Sequence, residues 1–256
     1  MLVILIALEV SVLVNAIFFA FAAFLRTDKV TDLSYSLSFI AVAVVLLING
    51  GSYSVQQVVV TVMICIWGVR LGSYLFARVL KTGVDHRFDG IRDNLFRFAR
   101  FWILQALTVW VVMLPSVVLL SKPLVDPIGW VSFVGFALWA AGFGVEAASD
   151  WQKSVFKSDP ANWRSFISTG LWRYSRHPNY FGETLAWWGL FVAALPAYSG
   201  WDFLTVVGPV SLTLLLLFVT GVPLLEKSAE KKYGADPEYQ EYKKRTSMFL
   251  LLPPRK

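Results

Sequence analysis

The sequence predicts an all-α membrane protein with seven transmembrane helices, the N-terminus outside and the C-terminus in the cytoplasm. Three observations predict this fold class. Of the 256 residues, 57% are hydrophobic and only 16% are charged, whereas roughly a quarter of the residues in a soluble domain are charged. Seven apolar runs follow one another along the chain, and most of them are long enough to cross a bilayer. Basic residues concentrate in alternate connections between these runs.

The apolar runs are taken as helices in chain order, and a span needs roughly 20 residues. They lie at about 3–24, 36–50, 56–80, 97–121, 128–146, 182–199 and 203–225. The second run is short, and the fourth begins in a charged stretch. We do not expect the first run to be a cleaved signal peptide, because it has no basic leader, contains Glu9 and is long enough to span.

The distribution of Lys and Arg predicts the orientation. Two lie in 25–35, five in 81–100, five in 147–182 and eight from 226 onward, which together are 20 of the 23 basic residues. The alternate connections contain only Lys122. By the positive-inside rule these four basic segments face the cytoplasm. Basic and non-basic connections alternate along the chain only if the number of spans is odd.

The composition also argues against several classes of protein. The single cysteine, Cys65, lies in an apolar run, so no intrachain disulfide can form. The net charge of +6 comes from the cytoplasmic connections, so we do not expect nucleic acid as a partner. The two histidines are far apart in sequence, which argues against a metal site. No Walker, Rossmann or Ser-His-Asp pattern is present.

The densest group of polar residues lies just before the sixth apolar run, in Arg173–Glu183. Such groups are costly at a bilayer boundary unless a partner holds them. Arg173 and Arg176 are three positions apart, so on a helical turn both guanidinium groups would face the same way, an arrangement that suits a phosphate ligand. Asn179 and Glu183 are four positions apart, and their amide and carboxylate suit a ribose, a carboxamide or the edge of an adenine. The residues predicted to bind a polar ligand are Arg173, Tyr174, Arg176, His177, Asn179, Tyr180 and Glu183. The alternative is a positive-inside anchor with a capped helix start.

A second group ends the fifth run, where Glu146 and Asp150 share a face and Lys153 and Lys157 continue at helical spacing. A carboxylate inside a span is expensive unless it is used. These acids either contact a ligand ribose or pair with the arginines of the next segment.

Two further groups lie in the N-terminal half. Arg70, Tyr74 and Arg78 form a polar stripe on the third run, which snorkelling would also explain. Asp32 and Tyr35, one turn apart, could hydrogen-bond a carbonyl oxygen, and Ser34, Ser36 and Ser38 are small enough to form a cavity wall. Alternatively, Asp32 caps the second helix and Tyr35 belongs to the aromatic belt.

The tail from residue 226 predicts two short helices, one around Glu226–Tyr233 and one ending at Lys244, joined by a turn at Gly234–Pro237. It is either an interfacial helix that faces lipid or a lid over the cytoplasmic mouth.

The segment Gly170–Glu183, which reads GLWRYSRHPNYFGE, resembles the signature of the membrane steroid 5α-reductase superfamily, which is related to the sterol C14 and C7 reductases. The tail pattern around Tyr233, Tyr239, Tyr242 and Pro253 is similar as well. The strong resemblance covers roughly 140–254, and the N-terminal part matches loosely through the Asp32 segment and 67–81.

The resemblance implies a seven-helix fold that binds NADPH at the cytoplasmic face and delivers hydride to a carbon–carbon double bond conjugated with a ketone. Asn179, Glu183 and Asp150 resemble cofactor-contacting residues of the family, and Lys157 falls where a basic residue lies near the phosphates. We expect one membrane domain over 1–256, with substrate-side helices in 1–125 and cofactor-binding helices and tail in 126–256. The full expected cofactor set is Arg70, Glu146, Asp150, Lys157, Arg173, Tyr174, Arg176, His177, Asn179, Tyr180, Glu183, Tyr239 and Tyr242.

The expected catalytic residues are Asp32, Tyr35 and Trp67, and they depart from the family pattern. The animal enzymes have Gln-Glu and Tyr as the pair that polarises the ketone; here Asp32 and Tyr35 lie in roughly that region, and Trp67 lies near the place of the family tyrosine. The Arg-His-Pro sequence is shared with the sterol reductases rather than with the animal 5α-reductases.

The expected function is NADPH-dependent reduction of an enone in a steroid or similar apolar lipid, 4-ene-3-ketosteroid to 5α-3-ketosteroid, at a site open to the cytoplasm. Besides this substrate and membrane lipids, we expect no obligatory protein partner. The alternative is a methyltransferase of isoprenylcysteine or phospholipid type that uses S-adenosylmethionine, although in that branch the motif runs differently after the proline. A receptor, a retinal pump and a transporter are less favoured; the seventh run has no lysine for a retinal Schiff base.

Overall fold

The computed structural model of the protein describes residues 2–51, 53–83, 88, 90–123, 125 and 128–255. Its regular structure in these ranges is helical, with one isolated bridge between Ser175 and Ser247. The α-helices are α1 (Leu2–Phe24), α2 (Thr31–Gly50), α3 (Val55–Thr82), α4 (Leu95–Ser121), α5 (Trp130–Ser158), α6 (Pro178–Ala194), α7 (Val207–Leu214), α8 (Val222–Tyr233) and α9 (Pro237–Arg245).

Six helical segments of the described chain are long and apolar enough to cross a membrane, so the protein is a multi-pass membrane protein. They are Leu2–Phe24, Thr31–Gly50, Val55–Lys81, Leu95–Ser121, Trp130–Ser158 and Gly200–Tyr233. The sixth predicted run, 182–199, is not in this set; it corresponds to α6, which is only 17 residues long. The count of seven therefore stays a prediction, and α6 is the helix on which it depends.

Two compact units make up the chain, one formed by Met1–Ser132 with Ala194–Gly208 and the other by Phe133–Ala193 with Pro209–Lys256. The first unit contains α1–α4, in which α2 packs against α1, α3 and α4, and α1 packs against α4. Small residues bring α2 and α3 together: a Cβ added at Gly72 would lie 3.0 Å from the Cβ of Ser36. Close backbone approach of this kind is typical of helices packed in membranes.

A buried polar network joins α1, α2 and α4 in the first unit. The Gln105 amide donates to Asn15 Oδ1 at 2.8 Å and to Ser34 Oγ at 2.9 Å, and the Asn15 amide donates to Ser38 Oγ at 3.0 Å. Without water in the bilayer core, such groups must satisfy one another. Ser34 and Ser38 therefore pack within this helix interface, and the sequence-based idea that they form a cavity wall is wrong for both.

The second unit is built on a close antiparallel pair, α5 and α6. A Cβ at Gly135 would lie 2.2 Å from Ala193 N, one at Gly189 would lie 2.4 Å from Trp139 N, and one at Gly182 would lie 2.5 Å from Glu146 N. These positions recur along both helices at spacings of four and seven residues, so glycines of each helix meet the backbone of the other helix along one face. The result is that the first turns of α6 lie directly against the acidic end of α5.

The tail forms the two short helices that the sequence predicts, α8 and α9. Asp236 caps α9 by accepting a hydrogen bond from Glu238 N at 2.9 Å, and Pro237 occupies the first turn, as expected for a helix start. The rings of Tyr239 and Tyr242 pack on Phe166, with centroids 5.2 and 5.3 Å away. This aromatic cluster attaches the tail to the connection between α5 and α6.

Candidate functional site

The non-helical segment before α6 is held by the tail. Ser175 pairs with Ser247 in the isolated bridge, where Arg176 N donates to Ser247 O at 2.8 Å. The hydroxyl of Ser175 donates to Phe249 O at 2.7 Å, and the phenol of Tyr242 donates to Trp172 O at 2.7 Å. The backbone of this segment thus finds its partners in the tail rather than in a helix, and its conformation depends on the tail.

This pairing overturns one sequence-based expectation. Gly170–Arg173 forms a single 3₁₀ turn, and Arg176 lies beyond it in the bridged segment, so the two arginines do not share a helical face. Arg173 is exposed, whereas only 11% of the Arg176 side chain is exposed. The two guanidinium groups therefore lie in different environments.

Helix α6 begins at Pro178, whose missing N–H is no loss at a helix start. Asn179, the second residue of the helix, reaches α5, and its amide Nδ2 donates to Asp150 Oδ1 at 3.2 Å. Asp150, Glu146 and Glu183 are all buried, and Gly182, next to Glu183, lies against the backbone of Glu146, so the acids of the two helices lie in the same part of the second unit. The sequence predicts that Asn179 and Glu183 share a face of this helix, whereas the hydrogen bond from Asn179 to Asp150 of α5 was not predicted.

Glu226, at the start of the tail in α8, bridges the Arg-His pair of the motif. Its Oε2 accepts from Arg176 Nη1 at 2.6 Å, and its Oε1 lies 2.8 Å from His177 Nε2. Sequence reasoning missed this residue, because Glu226 is 50 positions from Arg176 and only the folded tail brings them together. The one available signal was a carboxylate placed directly after the last apolar run.

Burial before α6 favours the neutral form of the His177 ring. Burial lowers the pKa of His177 below its usual value, and the hydrogen bond to Glu226 opposes that shift only in part. An ionised carboxylate can only accept a hydrogen bond, so the ring proton lies on Nε2 and points at Glu226. The other nitrogen, Nδ1, is then a hydrogen-bond acceptor. Tyr180 stacks on the same ring, with centroids 5.9 Å apart and planes 14° from parallel.

Four buried polar atoms between residues 176 and 184 have no hydrogen-bond partner in the described chain. They are Arg176 Nε, His177 Nδ1, Asn179 Oδ1 and Thr184 Oγ1. Leaving one such atom unpaired costs about 1–3 kcal/mol, so a cluster of four within nine residues needs an explanation. Two acceptors, one cationic donor and one hydroxyl suit a ligand that has hydroxyl or amide hydrogens beside an anionic oxygen.

The remaining predicted residues of the second unit have different surroundings. Tyr174 is exposed, and its backbone carbonyl accepts from Leu252 N in the tail at 3.1 Å. The ammonium of Lys157 donates to the carbonyl oxygens of Asn162 and Ser165 and to the phenol of Tyr233, at 3.1, 2.6 and 3.3 Å. A phosphate would have to displace one of these contacts, so a cofactor role for Lys157 stays a prediction.

Tyr239 and Tyr242 anchor the tail in the aromatic cluster, and a ligand role for them also stays a prediction.

The predicted residues of the first unit form a separate group on α2 and α3. Asp32 Oδ2 lies 3.5 Å from Arg78 Nη2. Phe39 packs edge-on against both Tyr35 and Trp67, with ring centroids 5.0 and 5.2 Å away. Asp32 does not cap α2, which begins at Thr31 after Val30 and has no side-chain cap.

Arg70, also on α3, stacks its guanidinium over the ring of Tyr74, with 5.5 Å between the guanidinium carbon and the ring centroid. A cation–π contact of this kind accounts for part of the predicted polar stripe without any ligand. The role of Arg70 in cofactor binding stays a prediction.

Fold and site together define a helical, multi-pass membrane protein with a partly unsatisfied polar site where one helix begins. Residues 18–246 match a family described as a protein of unknown function, DUF1295. Because the match covers well over half of the chain, the protein belongs to this family.

A curated relative adds little about activity. Uncharacterized protein C594.04c of Schizosaccharomyces pombe is 24% identical over 216 residues, covering 72% of this chain and 60% of the yeast protein. The chain thus spans about 60% of the length of that relative. No solved structure matches the chain.

Proposed function

We propose that the protein is an NADPH-dependent reductase that acts on the carbon–carbon double bond of an enone in a steroid or a similar apolar lipid. The observation that supports this most directly is the cluster of four unpaired polar atoms between Arg176 and Thr184. The resemblance of Gly170–Glu183 to the steroid 5α-reductase signature is the reason for proposing NADPH as the ligand of this cluster.

The residues present fit a dinucleotide. Asn179 Oδ1 and His177 Nδ1 accept hydrogen bonds, as the hydroxyls of a ribose and the amide of a nicotinamide require. Arg176 Nε and the exposed Arg173 suit phosphate oxygens. When bound, NADPH would supply the hydride.

Side chains of this protein would orient the ligand and polarise the substrate ketone. Asp150 holds the Asn179 amide nitrogen, so the amide oxygen is the group left for the ligand. The residues predicted to polarise the substrate ketone, Asp32 and Tyr35, belong to the first unit, where Asp32 is ion-paired with Arg78. A donor placed on the oxygen that becomes negative is typically worth on the order of 100-fold or more in rate.

The distribution of basic residues supports a site that opens to the cytoplasm. The connection between α5 and α6 and the tail, which together build the site, hold 13 of the 23 basic residues in 147–182 and from 226 onward. The positive-inside rule places both segments on the cytoplasmic side, where NADPH is available.

One observation favours the alternative, a membrane methyltransferase. Glu146, Asp150 and Glu183 are buried on the two helices that form the site, and Glu226 adds a fourth carboxylate from the tail. An acidic environment suits the sulfonium and ammonium of S-adenosylmethionine better than the phosphates of NADPH.

Turnover tests the proposal. Detergent-purified protein given NADPH and a 4-ene-3-ketosteroid should oxidise NADPH and form the 5α-reduced ketone, identified by mass spectrometry. Glu183→Ala should abolish the reaction, because it removes a buried acid of the site. The matched control is Glu241→Ala, which removes an exposed carboxylate of α9 and should leave turnover unchanged. If no enone of any class is reduced by the folded wild type, the assignment is wrong.

A further inference from the structure

Glu226 is a tail residue whose side chain contacts the motif before α6. Both of its oxygens are used, one by Arg176 Nη1 at 2.6 Å and the other by His177 Nε2 at 2.8 Å. The side chains of Arg176, His177 and Glu226 are 11%, 6% and 20% exposed, so water competes little for these contacts. An ion pair with so little exposure fixes the geometry of its partners more firmly than a surface pair does.

These contacts divide the atoms of Arg176 and His177 into two sets. The atoms that face Glu226 are paired, whereas Arg176 Nε and His177 Nδ1 are buried and have no partner in the described chain. A guanidinium is rigid and planar, so holding Nη1 also fixes the direction of the Nε–H group. A neutral imidazole that donates from Nε2 accepts at Nδ1. Glu226 therefore determines what both unpaired atoms can do.

We propose that Glu226 is a positioning residue, which holds His177 in the Nε2–H tautomer and Arg176 in one orientation so that a ligand hydroxyl donates to Nδ1 and an adjacent anionic oxygen accepts from Nε. A phosphorylated sugar has this chemistry. The inference rests on the proposed function, in which the ribose phosphate part of NADPH is the ligand, and it adds a residue from outside the predicted set.

The alternative is that Glu226 has only a structural role and attaches the tail to the segment before α6. Other contacts already do this, since Ser175, Arg176 and Tyr242 join the tail to the motif through hydrogen bonds that do not involve Glu226. A structural fastener would affect the stability of the protein but would not depend on which histidine nitrogen has the proton.

The tautomer can be measured directly, because the chain has only two histidines, His86 and His177. In protein labelled with ¹⁵N-histidine, the resonance that disappears in His177→Gln belongs to His177. We expect the wild type at neutral pH to show a neutral ring with the proton on Nε2. The substitution Glu226→Gln should move the proton partly or wholly to Nδ1, because the amide N–H of glutamine can donate to Nε2.

Affinity for NADPH is the second measurement. Glu226→Gln should weaken binding by about tenfold or more, the loss expected for a hydrogen bond with a charged partner, and Glu226→Asp, which keeps the charge, should recover part of it. The matched control is Glu230→Gln, one turn further along α8, where the carboxylate pairs with Lys243 at an exposed position. This control should change neither the tautomer nor the affinity.

The outcomes separate the two proposals. A wild-type His177 that has its proton on Nδ1, or a tautomer that is the same in wild type and Glu226→Gln, overturns the inference whatever the affinity for NADPH, and the wild-type spectrum needs no variant to fold. If the proton lies on Nε2 in the wild type and moves in Glu226→Gln, but the wild type binds no NADPH, the proposed function is wrong. The assignment of NADPH as the ligand of Nδ1 is then wrong as well.

Discussion

At the scale of single residues, unpaired polar atoms are the feature that links structure to function here. Unpaired polar atoms in the interior lower the free energy of unfolding of the ligand-free protein. A ligand that forms hydrogen bonds with these atoms restores that stability. The four atoms between Arg176 and Thr184 therefore predict a particular signature: removing one should leave the free protein as stable as before, or more stable, and weaken binding.

Thr184 gives the cleanest test of that signature, because Thr184→Val keeps the shape of the side chain and removes only the unpaired hydroxyl. We expect the melting temperature of the ligand-free protein to stay constant or rise, since burying an unpaired hydroxyl costs about 1–3 kcal/mol. NADPH affinity should fall by a factor of several.

The control is Thr61→Val in the first unit, another buried threonine with an unpaired hydroxyl. It should have the same effect on stability and none on affinity. If Thr184→Val lowers the melting temperature and leaves NADPH affinity unchanged, the unpaired atoms have no connection with a ligand.

The sequence was sufficient to predict which residue types meet at the start of α6, but not their partners. Helical spacing predicts that Asn179 shares a face with Glu183, because residues four apart lie on one side of a helix, but it does not predict the hydrogen bond from Asn179 to Asp150 of α5. Glu226 could not be predicted in the same way, since its position relative to His177 depends on the path of the tail. Arg176 was placed on the wrong kind of turn because the sequence does not show the bridge to Ser247.

At the scale of helices, hydropathy predicted where apolar segments lie and missed how they are interrupted. Hydropathy predicts one helix over the last run, 203–225, whereas the structure has a 3₁₀ segment (Gly200–Val206), then α7, a π turn (Leu215–Val219) and α8. Pro209 and Pro223 explain the breaks, because a proline removes one helical hydrogen bond and clashes with the carbonyl four residues earlier. Thr220 N instead bonds to Leu215 O at 2.8 Å, one residue further back than in an α-helix.

The contact between α5 and α6 makes a prediction about the site. Gly182→Ala places a Cβ about 2.5 Å from Glu146 N, so the helices must separate. We expect destabilisation of about 1–3 kcal/mol and loss of NADPH binding, because Asn179 on α6 then moves away from Asp150 on α5. Thermal unfolding in detergent and equilibrium dialysis with NADPH measure the two effects.

Gly144→Ala is the control for this substitution. Gly144 lies on α5 between Gly142 and Glu146, yet a Cβ there has no atom within 4 Å. This variant should be at least as stable as the wild type, because alanine favours a helix more than glycine does. Equal stability of Gly182→Ala and wild type would show that α5 and α6 are not closely packed.

At the scale of the whole molecule, the open question is whether α6, with 17 residues, crosses the membrane. With seven spans, the connections before and after α6 lie on opposite sides. In a background with Cys65→Ser, which removes the single cysteine, cysteines can replace Trp163 and Trp201, both well exposed. A membrane-impermeant thiol reagent should label Trp163→Cys only in inside-out vesicles and Trp201→Cys only in right-side-out vesicles.

Labelling of both positions from the same side would show that α6 does not cross, and the orientation inferred from the basic residues would have to be revised. The sequence predicted seven spans because it counted α6 by its hydropathy together with residues 195–199, which form a short 3₁₀ turn and a connection in the structure.

The polar cluster before and within the first turns of α6 is proposed to bind a pyridine dinucleotide. Titration of detergent-solubilised, folded protein with NADPH, in the absence and presence of S-adenosylmethionine, measures this binding, with Asn179→Ala as the variant. We expect saturable NADPH binding that S-adenosylmethionine does not displace and that Asn179→Ala weakens by about tenfold or more. Saturable binding of S-adenosylmethionine with no binding of NADPH would show that the cluster binds a different cofactor.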